Sequence, residues 1–111
     1  MLIERYAVHW VHLDPIQGSE MAKTRPAVII SDNDMNAILS TVVVCPITSS
    51  LHPQWPSRIQ TTLSGKAAEI AVDQIRTVDA SRLGERIGVL NPETATELRH
   101  IITIMYGVLA E

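Results

Sequence analysis

Up to about residue 90 the apolar residues of this chain come in short runs rich in β-branched side chains, each cut off by proline, glycine or an Asp/Asn cluster. Ala7-Val8-His9-Trp10-Val11-His12-Leu13 reads as a strand stopped by Asp14-Pro15. Pro26-Ala27-Val28-Ile29-Ile30 reads as a second, with proline at the first position, where a strand tolerates it, and Asp32-Asn33-Asp34 breaking it. Thr41 to Ile47 is the most β-rich stretch, too short for a helix, and is expected to be a central strand. Arg58 to Leu63 alternates weakly, as an edge strand would, and ends at Ser64-Gly65. Glu69 to Val78 predicts one or two short strands, and Leu83 to Leu90 another. Asp14 to Thr24 and Ser49 to Ser57 carry no period and read as loops, the second with Pro53 and Pro56 bracketing Trp55. Short strands at roughly ten-residue spacing, without βαβ alternation, predict a mainly β small barrel or sandwich.

The last segment has a different period. Asn91 can cap a helix, Pro92 suits its first turn, and Glu93 complements the positive end of the helix dipole. Ala95, Leu98, Ile102, Met105 and Leu109 then fall at three- and four-residue spacing, with Ile101, Ile104 and Val108 widening the stripe. A stripe this broad is read either as dimer contact or as packing onto the sheet.

With 111 residues, 46% hydrophobic and 19% charged, the chain fits one domain over residues 1–111 and argues against disorder or a coiled coil. No apolar run approaches the eighteen or so residues of a membrane span, and MLIERYAVHW lacks a secretory pattern. A soluble, cytoplasmic protein without membrane association is therefore expected. The lone cysteine, Cys45, excludes an internal disulfide and sits in the run TVVVCPI, where a buried, inert thiol is expected. His9 and His12 are three apart on a strand and point to opposite faces, and His52 and His100 stand alone, so no metal site or cofactor is expected. No HExxH, GxSxG or Gly-rich phosphate loop occurs. Nine basic residues against twelve acidic ones give a net charge of −3, which weighs against bulk electrostatic capture of nucleic acid but leaves room for a small basic pocket.

What remains is a polar constellation around the two loops. Gly18-Ser19-Glu20 and Lys23-Thr24-Arg25-Pro26 lead into the second strand, and Thr48-Ser49-Ser50 ends the central one. Arg25 offers a planar fork of donors suited to phosphate oxygens, and Thr48 a hydroxyl able to donate to the same group. If adjacent strands carry both at one end of the sheet, they converge on one anion. Spacing alone leaves open that these are solvated loop residues.

The order and separation of GSE…KTRPAVIIS, VVVCPITS, VDQIRTVDASRL and NPETATELRHIITIMYG resemble the MazF/PemK/Kid toxins of bacterial toxin–antitoxin pairs, from about Trp10 to Gly107. The resemblance implies an SH3-like small barrel of the PemK/CcdB type with a C-terminal helix, assembled as a homodimer. It also implies an endoribonuclease that cuts single-stranded RNA, usually messenger RNA, at a short sequence. The family's catalytic arginine and threonine fall on Arg25 and Thr48, and its RNA-contacting serine and glutamate on Ser19 and Glu20. Gln74, beside Asp73 and followed by Arg76 and Thr77, matches its DQ(I/V)RT motif. The chain departs from the family at Ala7, where some members carry an acidic residue, and Ala71 and Ser19 stand where the Kid-like branch uses Arg or His.

The implied chemistry is attack by the RNA's own 2′-hydroxyl, giving a 2′,3′-cyclic phosphate (or its opened 3′-phosphate) and a 5′-hydroxyl; DNA lacks the nucleophile. One preorganised donor is worth about 3–4 kcal/mol in such a step. A guanidinium is a poor base near neutrality, so Arg25 is expected to stabilise charge, and Glu20 is a candidate for either the base or a reader of a base edge. Trp55 is a candidate stacking platform, and Lys23, Thr24, Ser49 and Arg58 are candidate contacts to the RNA. The family also implies a cognate antitoxin whose acidic, disordered tail covers the RNA groove. The competing reading is a non-enzymatic toxin resembling CcdB, which binds DNA gyrase and cuts nothing.

Overall fold

A computed structural model describes residues 2–107. Seven antiparallel strands, β1 (Ala7–His12), β2 (Thr24–Ile29), β3 (Thr41–Thr48), β4 (Arg58–Leu63), β5 (Lys66–Ala71), β6 (Arg76–Asp79) and β7 (Leu83–Val89), are joined by a short helix α1 (Asn33–Ile38) and followed by α2 (Pro92–Tyr106). They form one curled, half-closed barrel in the order β4-β5-β3-β2-β1-β7, with β6 also paired to β3. The expected mainly β small barrel with a C-terminal helix is what the chain forms.

The central position of β3 follows from its composition. Val42 and Val44 pack on one side with Val11, Ala27, Ile29 and Val78, while Cys45 and Ile47 pack on the other with Val8, Val28, Ile59, Ile70 and Leu98. A strand buried on both faces needs a continuous apolar run rather than an alternating one, which TVVVCPI supplies. Pro46 lies inside this strand, where a proline normally costs a ladder hydrogen bond. Here β3 pairs with β6 over Thr41–Val44 and with β5 only from Ile47, so Pro46 occupies the gap where the strand changes partners.

Arg58–Leu63 is indeed an edge strand. It returns to β5 through Ser64 and Gly65, whose φ angles of 52° and 78° are both left-handed, the requirement of a two-residue hairpin turn. β5 therefore begins at Lys66, three residues earlier than the sequence pattern suggested. The reading of Asp32-Asn33-Asp34 as a simple break also changes. Asp32 accepts from the amides of Asp34 and Met35 and so caps α1, a helix too short to show a period.

At α2 the Asn91 side chain accepts from the Thr94 amide, and Pro92 opens the first turn. Ala95 and Leu98 are buried against the barrel and Ile101 and Ile102 pack partly against it, whereas Ile104, Met105 and Tyr106 are exposed. Packing onto the sheet therefore accounts for the first half of the stripe; Val108 and Leu109 lie outside the described residues.

Candidate active site

β2 and β3 run antiparallel, with Ala27 opposite Pro46 and Val28 opposite Cys45. Continuing that register by two residues sets Arg25 opposite Thr48, on one face and at one end of the sheet. The two side chains meet there, with Arg25 Nη1 donating toward Thr48 Oγ1 over 3.5 Å. That distance is long for a hydrogen bond and suits two donors that share an anion between them. Each is held from behind. Arg25 Nε donates to the Ala22 carbonyl at 2.9 Å, fixing the plane of the guanidinium. Thr48 Oγ1 accepts from the Ser50 amide at 3.1 Å, which leaves the hydroxyl proton to be donated elsewhere.

Both residues line a cleft of about 410 Å³, within the range of ordinary ligand sites. Lys23, Thr24 and Ser49 line it too, as do Leu63, Lys66 and Ala67 from the β4–β5 hairpin. Among the described residues, no carboxylate lines this cleft. Lys23 reaches it in a left-handed conformation (φ 69°), sparsely populated for a residue with a side chain. Its amide donates to Asp14 Oδ1, and its carbonyl accepts from the Leu13 amide at 2.9 Å. Thr24 Oγ1 lies 2.7 Å from His12 Nδ1 on the exposed face of β1, and His9, on the other face, is buried.

Ser19 and Glu20, read as RNA contacts with Glu20 also a candidate base, are not among the residues that line the cleft. They sit exposed in the loop between β1 and β2, where Glu20 Oε1 accepts from the Gln17 amide at 2.6 Å. Gln74 Oε1 accepts from the Met21 amide, tying the same loop to the 3₁₀ turn Val72–Gln74.

Arg58, Asp73 and Trp55 belong to a second assembly. The Arg58 guanidinium, expected to meet RNA, is almost fully buried and bonds Glu69 Oε2 at 2.6 Å and Asp73 Oδ1 at 2.8 Å. Glu69 is wholly buried and also accepts from the His52 amide and the Gln60 side chain. Burial pushes its carboxyl upward, but the hydrogen bonds from Gln60, His52 and Arg58 outweigh this and hold it below the usual carboxylate range. Asp73 is held down in the same way by Arg58 and Ser57 against its own desolvation. Trp55 is half exposed, with His52 stacked on one side at 3.9 Å and the Arg58 guanidinium 4.6 Å from its ring. The Trp55 ring is thus held by its own loop and is not part of the cleft lining.

Sequence reasoning passed over Lys66, Leu63 and Ala67, because the start of β5 was not recognised; the signal was Ser64-Gly65 between TTL and KAA, a hairpin turn. Cys45 is buried, and desolvation together with nearby Asp73 pushes its thiol up to about 12. Among the described residues no three His, Cys, Asp or Glu side chains group to hold a metal ion. No described helix is long and apolar enough to cross a membrane.

A small curled barrel that presents an arginine and a threonine from neighbouring strand ends is the arrangement expected of the toxins named above. The family of PemK-like, MazF-like toxins of type II toxin–antitoxin systems matches residues 4–106, and the chain belongs to it. It is 32% identical over 112 residues to an endoribonuclease MazF of Staphylococcus saprophyticus, covering 96% of this chain and 93% of that one. Its fold is that of MazF from Deinococcus radiodurans, with a TM-score of 0.85 at 22% identity over 97% of this chain and 99% of the other. MazF in a MazE–MazF complex from the same organism gives a TM-score of 0.79 at 19% identity, covering 98% and 99%.

Proposed function

We propose that this MazF-type toxin endoribonuclease cuts single-stranded RNA, chiefly messenger RNA, at a short sequence, with the RNA's own 2′-hydroxyl as nucleophile and without a metal ion. The 2′-oxygen gives its proton to a solvent water and bonds to phosphorus while the bond from phosphorus to the 5′-oxygen breaks. The 5′-oxygen takes a proton from solvent water and leaves as a hydroxyl. The other fragment keeps a 2′,3′-cyclic phosphate, which water opens to a 3′-phosphate.

The single observation that carries the reading is the Arg25–Thr48 pair, 3.5 Å apart in a cleft that Lys23 and Lys66 also line. Charge grows on the phosphoryl oxygens in the transition state. Donors already aimed there stabilise it without reorganisation, at about 3–4 kcal/mol each. Arg25 stabilises that charge and donates toward the departing 5′-oxygen, and Thr48 donates to a non-bridging oxygen.

The same reading gives the chain three associations: a second copy of itself, the cytoplasmic RNA pool, and a cognate antitoxin with an acidic, disordered tail. The cationic cleft supports an acidic tail, and the exposed Ile104, Met105 and Tyr106 at the end of α2 support an apolar contact. The test is incubation with a long single-stranded RNA in excess EDTA. Cleavage that Arg25→Ala abolishes, with 5′-hydroxyl ends and an intact DNA control, supports the proposal. Intact RNA under these conditions sinks it and leaves the protein-binding toxin.

A further inference from the structure

The nine basic residues are distributed unevenly. Arg5, Arg58 and Arg86 are paired with carboxylates of Asp32, Glu69, Asp73 and Glu4. Arg76 donates to the Leu13 carbonyl, Arg82 to those of His12 and Asp14, and Arg99 to Tyr6 and Thr96. The remaining three, Lys23, Arg25 and Lys66, all line the cleft. Lys23 and Lys66 are the two lysines of the chain, and the structure gives neither ammonium group a hydrogen-bond partner among the described residues. Gathering three cations in one hollow of a chain with a net charge of −3 is unfavourable unless an anion enters.

We propose that Lys66 is a substrate-binding residue that holds a backbone phosphate next to the scissile one, an assignment that rests on the nuclease reading above. Thr48 faces Glu69 across the β3–β5 ladder, and Lys66 lies three residues before Glu69 on β5. At roughly 3.3 Å per residue, its Cα stands about 10 Å along the strand from the position opposite the catalytic hydroxyl. That offset sets Lys66 to take a phosphate further along the chain, leaving the scissile group to Arg25 and Thr48. The wall that carries it is well fixed: the hairpin pairs in full register from Leu63–Lys66 to Arg58–Ala71, with Ile59 and Ile70 buried beneath. Leu63 and Ala67 line the same cleft with apolar surface, where the intervening base can rest while its phosphates are held.

Binding of a single-stranded oligonucleotide, spanning a mapped cleavage site and carrying deoxyribose at the scissile position, is measured for wild type, Lys66→Met and Lys66→Arg across a salt series. One lost phosphate contact lowers the magnitude of the slope of log K against log salt by about 0.7. Raising salt from about 50 to 200 mM then weakens wild type about 2.6-fold more than Lys66→Met. Lys66→Arg is expected to restore the slope, and Lys66→Met to raise KM with little change in kcat. An unchanged slope for Lys66→Met overturns the proposal. It is equally overturned if only binding of an acidic peptide such as poly-glutamate weakens, which would give Lys66 to the antitoxin. Because the probe resists cleavage, failure of the nuclease reading shows separately, as wild type leaving all-ribose RNA intact.

Discussion

Replacing Arg58 by methionine tests the assembly behind the cleft. Methionine keeps much of the aliphatic volume and removes the charge. Glu69, wholly buried, then loses its 2.6 Å partner and keeps only the His52 amide and the Gln60 side chain. Asp73 keeps Ser57. Breaking a buried ion pair by deleting one partner costs about 3–5 kcal/mol, because the other charge stays desolvated and uncompensated. A domain of this size has about 5–15 kcal/mol in all, so the variant is expected to fold with a much reduced margin. With m near 1.5–2 kcal/mol/M, the urea midpoint falls by about 2 M. The pH dependence sharpens the test. In wild type the folded carboxyls of Glu69 and Asp73 lie below their ordinary values, so their contribution is complete above the carboxylate range and lost as pH falls through the folded values. In the variant Glu69 keeps the Gln60 and His52 hydrogen bonds but loses the Arg58 hydrogen bond and charge that help offset its burial, so its carboxyl moves upward and protonation relieves the buried charge. The stability gap between variant and wild type should therefore narrow from pH 7 to pH 5. Urea melts followed by tryptophan fluorescence at both pH values measure this. A loss under about 1 kcal/mol, or one that does not change with pH, refutes the claim that Arg58 neutralises a buried carboxylate.

Two further outcomes bear on the chemistry. Thr48→Val keeps the shape of the side chain and removes its donor, so single-turnover cleavage should fall about 100- to 1,000-fold. The fold loses only about 1 kcal/mol from the unpaired Ser50 amide, which thermal melting reads independently. Glu20→Gln should leave the position of the pH–rate profile unchanged, because the carboxylate accepts from the Gln17 amide outside the cleft. A basic limb that disappears in this variant would restore Glu20 as the base.

What was legible in the sequence divides along the range of the interactions. The β3 strand declared itself because burial on both faces demands TVVVCPI, and the Asn91-Pro92 start of α2 because capping is local. α1 did not, since Asp32 can break a strand or cap a helix, and six residues are too few for a period to choose. The resemblance singled out Arg25 and Thr48; that they meet depends on a β2–β3 register which no local pattern states. The Arg58–Glu69–Asp73 cluster is less legible still. Glu69 lay at the start of a predicted strand stretch with no role suggested, and Arg58, at the edge of another, read as a contact to RNA rather than as the partner of a buried carboxylate. Their burial comes from the curl that folds β4 and β5 over the barrel. The same hairpin brings Lys66 to the cleft that Arg25 lines, which joins the two assemblies physically. Glu69 faces Thr48 on one ladder and Gln60 on the other, so the buried carboxylate that anchors the hairpin also fixes the wall from which Lys66 projects. Weakening that anchor should therefore loosen substrate positioning before it unfolds the protein, and Arg58→Met at low urea should raise KM while most molecules remain folded.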